Sequence, residues 1–265
     1  MLARVLLFGL LSLPGLLLAD TLRLGGMVRC PYVCADDEHP GFILEITEEI
    51  LERAGHKVLF EPLPWSRALR YVRSNNLDGI VGVLRRNAPD LVYPKLAQAV
   101  SQYVFFVPAN SSWQHTGLVS LWQVKIGVTQ DLSYGSMDSY IQRYKHSPRI
   151  QSLSGVTAVN QNLRAMELGR IDAVLADRVV MDYQQLKDPL SFPLKEAGSL
   201  HAEYLYVAFA SGSSEATEYA RILSDGLDRL RADGTLDTIL QRYGLSDWLG
   251  NSPEEQARKR VLSRF

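Results

Sequence analysis

One phrase is written twice in this chain. Residues 163–183, LRAMELGRIDAVLADRVVMDY, read as a helix stopped at Gly169, a short apolar strand over 171–176, and Asp177 where that strand hands over to another helix. Ninety-four positions earlier stands LRYVRSNNLDGIVGVLRR, with Leu69, Arg70, Leu77, Asp78 and Ile80 under Leu163, Arg164, Ile171, Asp172 and Val174. Where the later copy presents Asp177, the earlier one runs into Arg85 and Arg86. Two α/β units that each end a strand at a charged corner predict two lobes facing each other, because α/β sheets bind beyond the carboxyl ends of their strands. One lobe would offer cations and the other an anion.

The ends of the chain are read differently. Residues 1–4 are a short basic head, 5–18 an almost unbroken apolar run, and Ala19 a small residue before Asp20, the pattern of a cleavable secretory leader over 1–19. The run is shorter than the ~20 residues that cross a bilayer. Without the leader, 27 basic residues stand against 29 acidic ones, with no basic stripe, so nucleic acid is not an expected partner. The charged tail over 251–265 has no role that the sequence reveals.

Cys30 and Cys34, in CPYVC, are the only two cysteines. In an exported chain they are expected to form a disulfide closing a tight loop after the first strand, since a lone pair without nearby histidines lacks the ligands of a closed zinc site. The loop would fix Tyr32, which either packs over the disulfide or faces a ligand. Trp65 opens a helix just after a strand and is either core or cleft wall. Arg85 and Arg86 are a solvated pair unless their place at a strand end brings one to a site. Ser133 precedes a helix whose amino end, with its partial positive charge, is suited to an anion. Asp177 is a favoured N-cap for the following helix, a role compatible with binding. Trp113 and Trp122 are read as packing residues. Strands are expected over 21–28, 57–60, 77–83, 102–107, 125–129 and 204–209, with helices over 42–54, 214–232 and 235–243.

The leader, Pro31 and Tyr32, GFILEITEEILERAG, LDGIVGV, IGVTQ, GRIDAVLAD and DGTLDTILQRYGL, in this order, resemble the bacterial periplasmic solute-binding proteins of the polar-amino-acid type, extracellular family 3. The resemblance implies an α/β fold of the type II periplasmic-binding-protein kind, two lobes joined by two hinge strands, with 20–107 plus 206–250 as one lobe and 108–205 as the other. Hinge crossings fall near 104–109 and 204–210. It implies a monomer in the periplasm that closes on a small ligand, uses no cofactor or metal, and serves an ABC permease or a sensory receptor. It also implies roles: Tyr32 and Trp65 as aromatic walls, Ser133 and either Arg85 or Arg86 for the ligand's carboxylate, Asp177 for its amino group. The family often has hydroxyl residues where this chain has Gly82 and Val83, and a glycine at Asp131. A dehydratase on the same scaffold is the enzymatic alternative, although no nucleophile elbow, HExxH motif or site-adjacent histidine is present.

Overall fold

The computed structural model describes residues 20–36 and 38–249; the expected leader, the 251–265 tail and Asp37 lie outside the described residues. The first part of the chain runs β1 (Thr21–Gly26), α1 (Phe42–Arg53), β2 (Lys57–Pro62), α2 (Trp65–Arg73), β3 (Gly79–Leu84), β4 (Ala99–Ser101) and β5 (Tyr103–Pro108). The middle runs β6 (Ile126–Thr129), α3 (Asp138–Tyr144), β7 (Ile150–Leu153), α4 (Ala158–Glu167), β8 (Ala173–Asp177), α5 (Arg178–Lys187) and β9 (Leu194–Ser199). It closes with β10 (Glu203–Phe209), α6 (Ala216–Ala232) and α7 (Thr235–Arg242).

These strands make two sheets with the same plan, β2-β1-β3-β10-β4 and β7-β6-β8-β5-β9. In each, three strands of one α/β unit are parallel, and the strand added beside the third is antiparallel. Each sheet is sandwiched between apolar clusters, which makes two lobes with separate cores.

The written repeat is a structural one. Leu24 pairs with Gly79 and Gly25 with Ile80, as Ile126 pairs with Ala173 and Gly127 with Val174. Leu77 and Ile171, both buried, press on the first strand where a side chain would not fit: a Cβ on Gly25 would stand 2.5 Å from Leu77, and one on Gly127 2.7 Å from Ile171. Each repeated aspartate ties its strand to the neighbouring one. Asp78 accepts from Arg23 N at 2.6 Å and Asp172 from Lys125 N at 2.7 Å, while their own amides return a bond to the same residues' carbonyls.

The crossings between sheets differ from the sequence expectation. β4 lies in the first sheet and β5 wholly in the second, so the chain passes over at Gln102; it returns between Ser199 and Glu203. The two crossings lie side by side, with Leu200 N donating to Tyr103 O and Gln102 Nε2 to Leu200 O. The expected hinge segments 104–109 and 204–210 are instead interior strands. Trp113 is packed as expected, donating to Ser120 O, but Trp122 is 51% exposed with Arg149 stacked on its ring.

Candidate functional site

The carboxyl ends of β1, β3, β6 and β8 meet between the lobes, and two cavities open there. The smaller, about 100 Å³, is lined from the first lobe by Trp65, Gly82 and Asn87 and from the second by Asp131, Leu132 and Ser133. The larger, about 480 Å³, extends toward Pro64, Val180, Tyr183 and Lys187. Met27, Arg29, Tyr103, Asp131 and Leu132 line both, so these residues stand where the two cavities meet.

Asp177 lines the larger cavity. It ends β8, is 2% exposed, and caps α5 by accepting from Val180 N at 3.2 Å. Three side chains of the opposite lobe also converge on it: Arg29 Nη2 at 2.8 Å, the Tyr32 hydroxyl at 2.9 Å, and the Ser101 hydroxyl. The sequence reading of Asp177 as a corner carboxylate meets a fact it did not contain, since a cation of the same chain already sits on it. Burial opposes the charge on Arg29, but Tyr103, Asp177, Tyr32 and Tyr134 more than offset it and hold the guanidinium's pKa above its ordinary value. Burial, then the Asp177 charge, pushes Tyr32 well up; burial first raises Tyr103 to about 12. Arg29 therefore stays charged, and Tyr32 and Tyr103 stay neutral, near neutral pH.

Tyr32 owes its aim to the loop that carries it. Cys30 and Cys34 are bonded, and the carbonyls of Pro31 and Tyr32 accept from the first free amides of α1, Phe42 N and Ile43 N. Gly41 makes this docking possible: its φ is 103°, and a Cβ would lie 2.6 Å from the Tyr32 carbonyl oxygen. The ring packs on Phe42 at 5.2 Å rather than over the disulfide, and it borders the small cavity.

The two arginines after β3 part company. Arg85 is turned away from the cleft, its guanidinium between the rings of Tyr93 and Tyr206, and it lines neither cavity. The sequence assigned Arg85 as one of two candidates; the 3-10 turn at Arg85–Asn87 sends the neighbours in different directions. Arg86 also lines neither cavity, but it bridges the lobes, bonded twice to Glu203 at 2.5 and 2.9 Å and once, across the cleft, to Ser133 Oγ at 3.0 Å. Ser133 lines the small cavity, yet its hydroxyl already donates to Asp138. Asp138 also accepts from Tyr134 N, so the chain's own carboxylate fills the helix start that was expected to receive an anion. Trp65 is half-buried at the start of α2 and walls the small cavity, while also packing against the Ala68 and Val72 cluster.

The departures at Gly82 and Asp131 have backbone causes. Opposite β10, Tyr206 pairs with Val83 and Val207 with Val81, leaving Gly82 as the extra residue of a bulge with φ 75°. Val83 faces the core, not the cleft. Asp131 has φ 63°, the left-handed conformation in which glycine is the easiest residue and Asp a tolerated one. The sequence missed Arg29, Ser101, Tyr103 and Glu203. Arg29 had a usable signal, a cation at the carboxyl end of the first strand. Among the described residues no group of three or more His, Cys, Asp or Glu is placed to hold a metal, and no helix is long and apolar enough to cross a membrane.

Two α/β lobes that share a charged cleft define a periplasmic-binding-protein-like fold. The chain belongs to the bacterial extracellular solute-binding proteins, family 3, whose model matches residues 28–246. No curated protein matches the sequence. Among solved structures, a histidine kinase sensor domain with similarity to periplasmic binding proteins is 22% identical with a TM-score of 0.64, over 84% of this chain and 95% of that one. An ancestral arginine-binding protein bound to arginine is 21% identical with a TM-score of 0.62, over 84% and 97%. The ancestral amino acid-binding protein AncCDT-1, a precursor of cyclohexadienyl dehydratase, is 16% identical with a TM-score of 0.62, over 84% and 95%. At such identities these three speak for the fold alone.

Proposed function

We propose that this protein is a periplasmic solute-binding protein that captures a small polar solute, an amino acid, related zwitterion or organic acid, between its lobes and delivers it to an ABC importer. The observation that carries the reading is the cleft itself: polar and aromatic side chains of both lobes line one cavity system, so a solute bound there touches both. With only two adjacent crossings, at Gln102 and 200–202, relative rotation of the lobes is cheap and contacts in the cleft bias it. The lobes of this proposal are divided at those crossings. Tyr32, Trp65, Ser133 and Arg86 are the proposed contacts, with Asp177 behind them.

A second reading, a sensing module that presents its closed form to a membrane receptor, has the support of the fold it shares with a kinase sensor domain. Enzymatic turnover is not proposed, because the family is one of solute-binding proteins. The test is a thermal-shift screen of the mature chain against amino acids, polyamines, organic acids and sulfonates. A solute at 100 times its Kd adds about 2.7 kcal/mol to stability, an easily read shift. X-ray scattering with that solute then shows compaction; no shift with any class overturns solute capture. Co-purification with a permease or with a receptor separates the two readings.

A further inference from the structure

We propose that the cleft takes small carboxylic acids that carry no ammonium group, and that Arg29 decides this; the inference rests on the solute-capture reading above. A buried carboxylate at a strand end is, by charge, a seat for an ammonium. Here the chain occupies that seat itself. Arg29 Nη2 forms an ion pair with Asp177 Oδ2 at 2.8 Å, and Tyr32, Ser101 and Val180 N hydrogen-bond the same carboxylate. The ion pair with Arg29 and the contacts from Ser101, Val180 N and Tyr32, whose one hydroxyl proton also faces Val100 O, crowd the roughly four lone-pair sites of the carboxylate. An entering ammonium would have to dislodge Arg29 and leave a guanidinium unpaired in the cleft, so its own gain is offset by the charge it strands.

The same guanidinium is equipped to receive an acid. Of its five N–H donors, those on Nη2 face Asp177 and Ser101, and among the described residues Nε and Nη1 have no partner. The side chain lines both cavities and is held in place by the rings of Tyr32 and Tyr103, 4.9 and 5.4 Å away. Asp177 thus serves as the anchor of a cation whose remaining donors point to the solute. The pairing orders the cation before binding, so little freedom is lost when an acid arrives.

The probes are matched pairs that differ only in the amine: succinate and L-aspartate, glutarate and L-glutamate, 3-phenylpropionate and L-phenylalanine. Calorimetry on the mature wild-type chain is expected to show the amine-free member of at least one pair binding about tenfold or more tightly than its partner. In Arg29→Gln the acid loses about tenfold and the freed Asp177 favours the amine, so the preference reverses. Should that variant not fold, Arg29→Lys, which keeps the charge but not the planar donor set, is expected to lose acid binding by a similar factor. Asp177→Asn keeps the helix cap but removes the charge that anchors Arg29, so acid binding is expected to weaken, by less than the loss in Arg29→Gln. An amino member preferred in every pair by the wild type, a preference unmoved by changing Arg29, or a larger loss of acid binding in Asp177→Asn than in Arg29→Gln each overturns the inference. If neither member of any pair binds, the inference also falls, while solute capture is judged separately by the polyamines and sulfonates of the wider screen.

Discussion

In the first lobe Asp78 takes the amide of Arg23, and in the second Asp172 takes that of Lys125, at nearly equal distances and in the same register. At the other end of the same strands the lobes part. Counting 102 residues from Leu24 to its equivalent Ile126, Tyr32 falls on Tyr134 and Arg29 on Asp131. Tyr32 reaches across to Asp177, whereas Tyr134 folds back on its own strand, bonded to Thr129 N and O. The first corner is stapled by a disulfide; the second is held by Tyr134 and Asp138. The lesson is that the base of each unit answers to backbone geometry, which both lobes share. The tips answer to what must meet between them, and opposite surfaces require unlike residues.

The largest expected effects test the shared base. Leu77→Ala and Ile171→Ala each empty a buried side chain from the same place in each unit, so each should cost about 2 to 5 kcal/mol in urea unfolding. A large cost at one and a negligible cost at the other would break the equivalence. Next comes a difference between the tips. Reducing Cys30–Cys34, or changing both to Ser, frees a short loop and should cost about 2 kcal/mol, confined to the first lobe. Hydrogen exchange of α1 amides, whose partners are Pro31 and Tyr32, should rise while that of α3 stays unchanged.

A smaller effect is expected where the lobes touch. Arg86→Gln removes the bonded bridge from Glu203 to Ser133 at an exposed rim, worth about 0.2 to 1 kcal/mol. Scattering should show a wider distribution of lobe separations for this variant and none for Arg85→Gln, which touches only its own lobe. Equal behaviour of the two would contradict the division of roles.

The interior of each sheet was legible in the sequence, and most of its edges were not. β1, β3, β6, β8 and β10 are apolar runs between turn signals, and the sequence predicts all of them. β4, β7 and β9, missed, are three of the four edge strands, where one flank is solvent and composition relaxes. The crossings were misplaced because only Gln102 separates β4 from β5, and hydrophobic pattern does not say which sheet a strand joins. At the site, Asp177 was legible as a strand end and helix cap, both local properties. Its pairing with Arg29 joins residues far apart in the chain and depends on how the two lobes face each other, which no local pattern encodes.

An effect of comparable size, read through pH, compares one acid in each lobe. Burial, with Glu52 and Glu45 nearby, raises Glu48 of α1 to about 7, and burial raises Asp182 of α5 in the other lobe. A carboxyl whose folded pKa lies above its unfolded value binds its proton more tightly when folded. Its stabilising contribution is therefore complete below the unfolded pKa and is lost as pH rises through the folded one. For Glu48 that window runs from about 4.5 to about 7. Because the side chain is partly exposed, solvent screening reduces the effect to roughly 1 kcal/mol. The melting temperature of the wild type should carry a falling component across that window, which Glu48→Gln removes. Asp182→Asn should flatten the profile less, at the acidic end. If Glu48→Gln leaves the pH profile of the melting temperature unchanged, the crowding of the α1 acids does not strain the first lobe, and the two lobes are alike in this respect as well.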